Sequence, residues 1–372
     1  MLGEEERRAV LEVLESGVLA HGPKIRAFEQ AFCAFTGAPH AVAVASCTAG
    51  LHLYYFAAGL GPGDEVLVPA MTHTATAHAV ELTGARAVFV DAEPRTGNMD
   101  LDALEAAITP RTRAISPMHY LGYPLDMERV RRIADARSLM VVEDCALALG
   151  TRLHGTHAGL FGAVGCFSFY PVKHITTAEG GMVICRDEAL ARRFERVRAF
   201  GMDKHVGERT VPGLYDVQEL GFNYRMSDIE AAIGCEQLRK LPRFLEARRA
   251  NHRVLLQELK AIEEVAVLHE DRPGFEPSYY CLVALLRGCL AARRNDVLLA
   301  LKELGIGTSV YYPHPVPKMS YYRQKYGTRD GDHPVATRIA DTSLALPVGP
   351  HLGPEDMRRI AAAIKEVLVK RR

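Results

Sequence analysis

The chain lacks a net charge: 45 lysines and arginines balance 45 aspartates and glutamates over 372 residues. Nucleic-acid binders carry an excess of basic groups to neutralise phosphate, so nucleic acid is not an expected partner. The clusters Arg248-Arg249 and Lys370-Arg371-Arg372 are too short to change that and read as solvated surface. The eight cysteines, at 33, 47, 145, 166, 185, 235, 281 and 289, include no C-x-x-C pair. Scattered thiols of this kind suit a reduced core and a cytoplasmic protein. Neither H-x-x-x-H nor H-E-x-x-H occurs, so no metal is expected. No G-x-G-x-x-G follows the first strand-like run, which argues against a nicotinamide dehydrogenase. Internal repeats and low-complexity linkers are absent too.

Charge is also missing locally. No Asp, Glu, Lys or Arg stands between Glu29 and Asp64, a stretch long enough to cross a bilayer. Gly37, Pro39, His40, Ser46, Thr48, Gly50 and His52 interrupt it, and it divides into a strand-like part, 40–45, and a helix-like part, 49–60. A buried strand–turn–helix is expected there, not a membrane span. The beginning Met1-Leu2-Gly3-Glu4-Glu5-Glu6 is acidic and helical in pattern, unlike a signal peptide.

What is present is ordinary for a globular chain, with 48% hydrophobic and 24% charged residues. Its length suggests two domains and a core that needs no staples. Apolar runs at 40–45, 65–69, 86–90, 113–118 and 139–143 alternate with helix-like segments at 48–60, 74–83, 102–108 and 126–137. That order predicts an α/β fold, with a mostly parallel sheet covered by helices on both faces. Runs at 163–169 and 181–185 flank the loop 170–180 and read as a hairpin-like pair. A long helical stretch from Ser227 to Leu259 bridges to a smaller α+β unit, with strands expected at 279–286 and 308–311 and helices at 294–304 and 354–370. The expected domains are 1–245 and 246–372.

In open α/β sheets ligands lie beyond the carboxyl ends of the strands. After the first strand, Ser46-Cys47-Thr48-Ala49-Gly50 opens a helix whose amides and Thr48 hydroxyl suit an anion. An ordinary N-capped helix would read the same way. Asp144 ends the apolar strand Leu139-Met140-Val141-Val142, so it needs a partner or carries a desolvation cost. Capping the next segment is the plainer role. Lys173 stands between Cys166-Phe167-Ser168-Phe169 and the run 181–185. A buried turn there lowers an amine's pKa and lets it form a Schiff base, whereas an open hairpin leaves it an ordinary surface lysine. Together, a phosphate cup, a carboxylate and a buried lysine at one sheet edge match the needs of pyridoxal 5'-phosphate.

The segment Phe167-Ser168-Phe169-Tyr170-Pro171-Val172-Lys173-His174-Ile175-Thr176-Thr177-Ala178-Glu179-Gly180-Gly181 resembles the lysine motif of the DegT/DnrJ/EryC1/StrS aminotransferases. Ser16-Gly17, Gly22-Pro23, Ser46-Cys47-Thr48-Ala49, Gly63-Asp64-Glu65-Val66, Val90-Asp91 and Val142-Glu143-Asp144 follow the family's order, as does the run from Glu219 to Asp228. The likeness extends from Glu4 to Val369. It implies a fold-type-I pyridoxal-phosphate enzyme that moves an amino group from L-glutamate to the ketone of a nucleotide-linked keto-deoxy sugar. By resemblance, Lys173 holds the cofactor's aldehyde and then shuttles the proton. Asp144 pairs with the pyridine nitrogen, and Thr48, Ala49 and Ser168 take the phosphate. His73 stacks on the ring. Asn223 reaches the cofactor phosphate of a neighbouring subunit, which implies a homodimer with shared active sites.

Tyr312 and His314 lie in a segment that either meets the sugar or nucleotide or packs domain against domain. Arg225 either meets phosphate or braces the interface. Leu147 departs from the pattern, because many members carry His or Gln there for the cofactor's ring hydroxyl. Dehydratases of the family replace the lysine by histidine; here His174 is only the neighbour. A cofactor-bound regulatory protein of the same family is the rival reading.

Overall fold

The computed structural model describes residues 1–204 and 211–370. Seven strands form the main sheet: β1 His40–Val44, β2 Glu65–Pro69, β3 Arg86–Val90, β4 Thr112–Ile115, β5 Met140–Asp144, β6 Val164–Ser168 and β7 Gly181–Cys185. Their spatial order is β1-β7-β6-β5-β4-β2-β3. Strands β6, β5, β4, β2 and β3 run parallel, and β7 is antiparallel to both β6 and β1. The expected mostly parallel α/β sheet and its hairpin-like pair are therefore both present. Valine and isoleucine dominate the central strands, and every residue of β2 and β7 is buried. Such strands pack helices on both faces, as their unbroken apolar runs require.

Several elements are shorter than expected, each for a local reason. The helix after β1 spans Cys47–Ala57 rather than reaching 60, because Gly59 takes the left-handed conformation at φ 72°. The run 113–118 pairs only to Ile115 before Pro117 removes a donor from the ladder, although Met118 still bridges Asp144. The strand expected at 279–286 begins at Leu282. The one expected at 308–311 is reduced to a single bridge, Ser309 to Ala345. Gly305, Gly307, Pro313 and Pro315 around it disfavour a ladder.

A second sheet is antiparallel: Val265–Val267, Leu282–Leu286 and Ser343–Leu346, in that order, with the first and last strands not expected from the sequence. The helix Asp228–Leu259 begins with a capping box between Ser227 and Glu230 and runs past Pro242 without ending. Its first half packs Leu238, Leu241 and Phe244 against Phe28 and Phe32 of the helix Pro23–Thr36. Its last turns pack Leu255, Leu256 and Leu259 against the second sheet. A third apolar cluster joins the two halves, with Met71, Met118, Tyr120 and Leu147 against Tyr280, Cys281, Tyr312 and Ala345. No helix among the described residues is long and apolar enough to cross a membrane.

Candidate active site

The carboxyl ends of the parallel strands converge where β5 delivers Asp144, 2% exposed. A carboxylate only accepts hydrogen bonds, so burial there demands donors. Thr76 Oγ1 donates to Oδ2 at 2.7 Å, and the Ala146 amide donates to Oδ1 at 3.0 Å. Cys47 Sγ lies 3.8 Å from Oδ1. Thr72 Oγ1 is 2.7 Å from Thr76 Oγ1. The single Thr76 proton is spent on the carboxylate, so Thr72 must be the donor of that second bond. Both threonines lie at the start of the helix Thr74–Glu81 that follows β2. Sequence reasoning missed this pair; the available signal was two hydroxyls spaced i, i+4 at a strand's carboxyl end.

Alternation along β5 sends Glu143 to the opposite face. There it accepts from the amides of Gly159, Phe161 and Gly162 at 2.8, 2.8 and 2.7 Å, and from His119 Nε2 at 3.1 Å. His119 Nδ1 accepts the Leu125 amide at 3.1 Å, which fixes the tautomer. His119, Glu143 and Cys145 form the one compact group of potential metal ligands among the described residues. The Glu143 oxygens and both His119 nitrogens are already committed to protein partners.

Lys173 arrives from the neighbouring β6–β7 pair, whose register sets Ser168 opposite Gly181. The loop between them is tied by Phe169 N to Gly180 O at 2.9 Å, Thr177 N to Phe169 O at 3.0 Å, and Lys173 N to Tyr170 O at 2.9 Å. Gly180 bridges Ser46, and a Cβ on Gly181 would come within 2.4 Å of the Ser46 carbonyl carbon. Only glycine lets the lysine loop approach the helix start so closely. The Lys173 side chain is half-buried. Burial pushes its amine below the usual lysine value, while the nearby Asp144 and Cys47 pull it back up. Lys173 Nζ lies 6.0 Å from the centre of the Tyr280 ring, a wall residue that sequence reasoning also missed.

This has a consequence for the cofactor-free protein. An amine whose folded pKa is depressed binds fewer protons than in the unfolded chain, so unfolding takes up protons below pH 10.4. Stability should rise as pH increases through the folded Lys173 pKa toward that value. Urea titrations between pH 7 and 10 should show Lys173→Met gaining most over the parent chain at the low end. A gap that does not narrow with pH would contradict the depressed amine.

His73 caps the helix Thr74–Glu81, its Nδ1 accepting from Ala75 N at 3.2 Å. Burial, and then the charge of Lys173, lower its pKa, with Asp144 opposing. Its ring centre lies 5.8 Å from that of Tyr312. Burial raises the Tyr312 phenol well above its ordinary value, and the Asp144 charge adds to the effect. Lys173, Asp144, His73 and Tyr312 are thus neighbours at one sheet edge, each acting on the charge of another. Thr48 is half-buried at the start of the helix Cys47–Ala57, and the Ala49 amide is capped by Ser46 Oγ at 3.1 Å. Ser168 Oγ, at the end of β6, accepts from Tyr170 N at 3.4 Å.

Other residues fall elsewhere. Asn223 is exposed, on a segment where Ala199 bridges it. Arg225 stacks its guanidinium 4.9 Å from the centre of the Phe200 ring. It lines a groove of about 540 Å³ with His21, Arg26, Glu29 and Arg198; Lys173 and Asp144 are not among its walls. His314 is exposed. Leu147 is buried among Met71, Met118, Tyr120 and Tyr312, so its side chain brings no polar group to the cleft. His174 is buried with Nε2 donating to the Ser278 carbonyl at 3.0 Å.

Comparison with known proteins identifies the family. The sequence model of the DegT/DnrJ/EryC1/StrS aminotransferase family matches residues 1–365. The spore coat polysaccharide biosynthesis protein SpsC of Bacillus subtilis (strain 168) is 36% identical over 375 residues, 99% of this chain and 95% of its own. Among solved structures, the sugar aminotransferase CalS13 of Micromonospora echinospora superposes with a TM-score of 0.89 at 33% identity, covering 98% of each chain. Spr1654 of Streptococcus pneumoniae in its PLP-form gives a TM-score of 0.92 at 28% identity, covering 100% of this chain and 97% of its own.

Proposed function

Since the chain belongs to the DegT/DnrJ/EryC1/StrS aminotransferase family, we propose that it transfers an amino group from L-glutamate to the ketone of a nucleotide-linked keto-deoxy sugar, with pyridoxal phosphate bound between Lys173 and Asp144. The family is pyridoxal-phosphate-dependent. The observation that carries the reading for this chain is the pairing at the sheet edge of a lysine amine, lowered by burial, with the buried Asp144 carboxylate that acts on it. Those two groups fit the cofactor. Pyridoxal phosphate, when bound, supplies an aldehyde for the amine and a ring that accepts an electron pair.

Each residue then has a task. Lys173 Nζ, its pKa lowered by burial, would hold the cofactor's aldehyde and move the proton at the carbon that bears the migrating nitrogen. Asp144 supplies a fixed negative charge, and Thr72 and Thr76 hold its orientation. Thr48 and Ser168 present hydroxyl donors to a phosphate, the Ala49 amide joins them by turning from Ser46 Oγ, and His73 covers a ring face. Tyr312 walls the cleft toward the sugar. We assign His314 and Arg225 to the acceptor's nucleotide end. The exposed Asn223 supports a homodimer in which it serves the partner subunit's cofactor phosphate. The division of the chain at 245/246 is proposed from packing, since Phe244 belongs to the larger unit's core and Leu255 to the smaller one's. All eight cysteines are free thiols, which supports the cytoplasm as its location.

SpsC, by its name, serves polysaccharide biosynthesis, and CalS13 is a sugar aminotransferase; both support a sugar acceptor here. The intact lysine and the commitment of His174 to Ser278 favour transfer over dehydration. The test is a panel of keto-sugar nucleotides incubated with glutamate and the loaded protein, with products read by mass. One aminated sugar, with 2-oxoglutarate formed in equal amount, is expected. Loss of water from the sugar without nitrogen gain would contradict the proposal.

The threonine pair gives a further check. Thr76→Val removes the hydrogen bond to the Asp144 carboxylate, a charged bond worth about 1.5–3 kcal/mol. Cofactor binding, followed by fluorescence, should weaken about tenfold or more. A variant that binds as tightly as the parent would show that Thr76 does not hold Asp144 in place.

A further inference from the structure

Arg248 lies in the helix Asp228–Leu259 and is 7% exposed. Its Nη1 donates to the carbonyls of Tyr279 and Tyr280, at 3.3 and 2.9 Å. Its Nε is buried without any hydrogen-bond partner. A guanidinium does not shed its proton in a protein, so this is a buried permanent cation. The groups that act on it favourably are Tyr280, Cys281 and Tyr311, none of them a carboxylate. A buried charge without a counter-ion is costly, and most buried arginines meet an acid. This one meets two carbonyl oxygens and an opening.

The opening is a cavity of about 220 Å³. Arg248 and His351 are its basic walls, Thr308 and Ser309 add hydroxyl groups, and no wall residue is acidic. Two other walls lead to the active site. Val172 directly precedes Lys173, and Tyr280 holds its ring 6.0 Å from Lys173 Nζ. A cationic, acid-free cavity beside the reactive amine is built for an anion.

We propose that Arg248 receives a carboxylate of the amino-acid donor in this cavity. The assignment rests on the aminotransferase reading. It adds the residue that recognises the donor, separate from the groups assigned to the sugar nucleotide. A guanidinium recognises a carboxylate through its N–H donors; Nη1 is spent on the two carbonyls and Nε is closed off from solvent, so Nη2 is the donor left for the ligand.

The experiment has two arms. In the first, glutamate is titrated into the cofactor-loaded protein and its Arg248→Gln variant, and the absorbance change gives the half-saturating concentration and the limiting rate. Half-saturation should rise about 30-fold or more in the variant, the limiting rate should change far less, and affinity for the sugar nucleotide should stay constant. Because Arg248 also holds two backbone carbonyls, the second arm uses the unaltered protein. Calorimetry compares glutarate, which carries carboxylates but no amine, with neutral glutaramide. Glutarate binding without glutaramide binding supports the site. Equal glutamate half-saturation in variant and parent, or no glutarate binding, overturns it. The parent's glutamate response separates this failure from that of the function itself. A parent that responds normally while either arm fails loses only the Arg248 assignment. A parent that binds glutarate yet never responds to glutamate loses the aminotransferase reading, and the donor assignment with it.

Discussion

Lys173→Ala is expected to lower amino transfer by about 10⁴-fold or more, measured as turnover at saturating donor and acceptor. The size follows from the two tasks placed on one nitrogen. The amine would hold the cofactor's carbonyl carbon, and once released it would move a proton at the carbon that bears the migrating nitrogen. No other described residue in the cleft offers a half-buried amine, and His174, the nearest alternative in sequence, is committed to the Ser278 carbonyl. Alanine costs the fold little, because Lys173 is half-buried in a loop and its burial opposes the charged amine. The variant should therefore melt cooperatively near the parent's temperature. Loss of turnover with intact folding separates a chemical role from a structural one. Turnover within tenfold of the parent would remove Lys173 from the reaction.

Asp144→Asn is expected to cost about 10²–10³-fold in turnover, the range seen when one well-placed electrostatic stabiliser is lost. Asparagine keeps the shape and can still accept from Thr76, so folding should persist. What it lacks is the negative charge that a ring nitrogen would need in order to stay protonated. Asp144→Ala goes further, because the buried Thr76 hydroxyl then loses its acceptor. That should add about 1–3 kcal/mol of destabilisation. Comparing the two variants by turnover and by denaturant midpoint divides the charge from the hydrogen bond. If asparagine matched aspartate in turnover, the carboxylate would be a helix cap and nothing more.

Much of the fold was legible because the parallel strands leave a plain trace. Buried on both faces, β7 and all of β2 after Glu65 read as apolar runs, and the limits of both strands match the sequence expectation. The small sheet left a weaker one. Ser343–Leu346 follows a helix without a turn residue between them, so neither its start nor its type stood out. The segment 308–311 has strand-like composition, yet the flanking glycines and prolines reduce it to one bridge.

The site divides the same way. Lys173, Asp144 and His73 were found because each stands at the end of an apolar run. Thr72 and Thr76 were not, since a threonine near a helix start is common and only the fold brings it to Asp144. Tyr280 and Arg248 come from the other half of the chain, 107 and 75 residues beyond Lys173 by their numbers, and no local pattern announces them. Arg248 was read as part of a solvated basic pair, whereas the helix turns it inward and leaves Arg249 more exposed.

The most direct measurement of the central claim is chemical. The purified protein is loaded with pyridoxal phosphate, reduced with borohydride, digested, and its peptides are weighed. One modified peptide is predicted, carrying the reduced cofactor on Lys173. Attachment at any other lysine, or none at all, would contradict it.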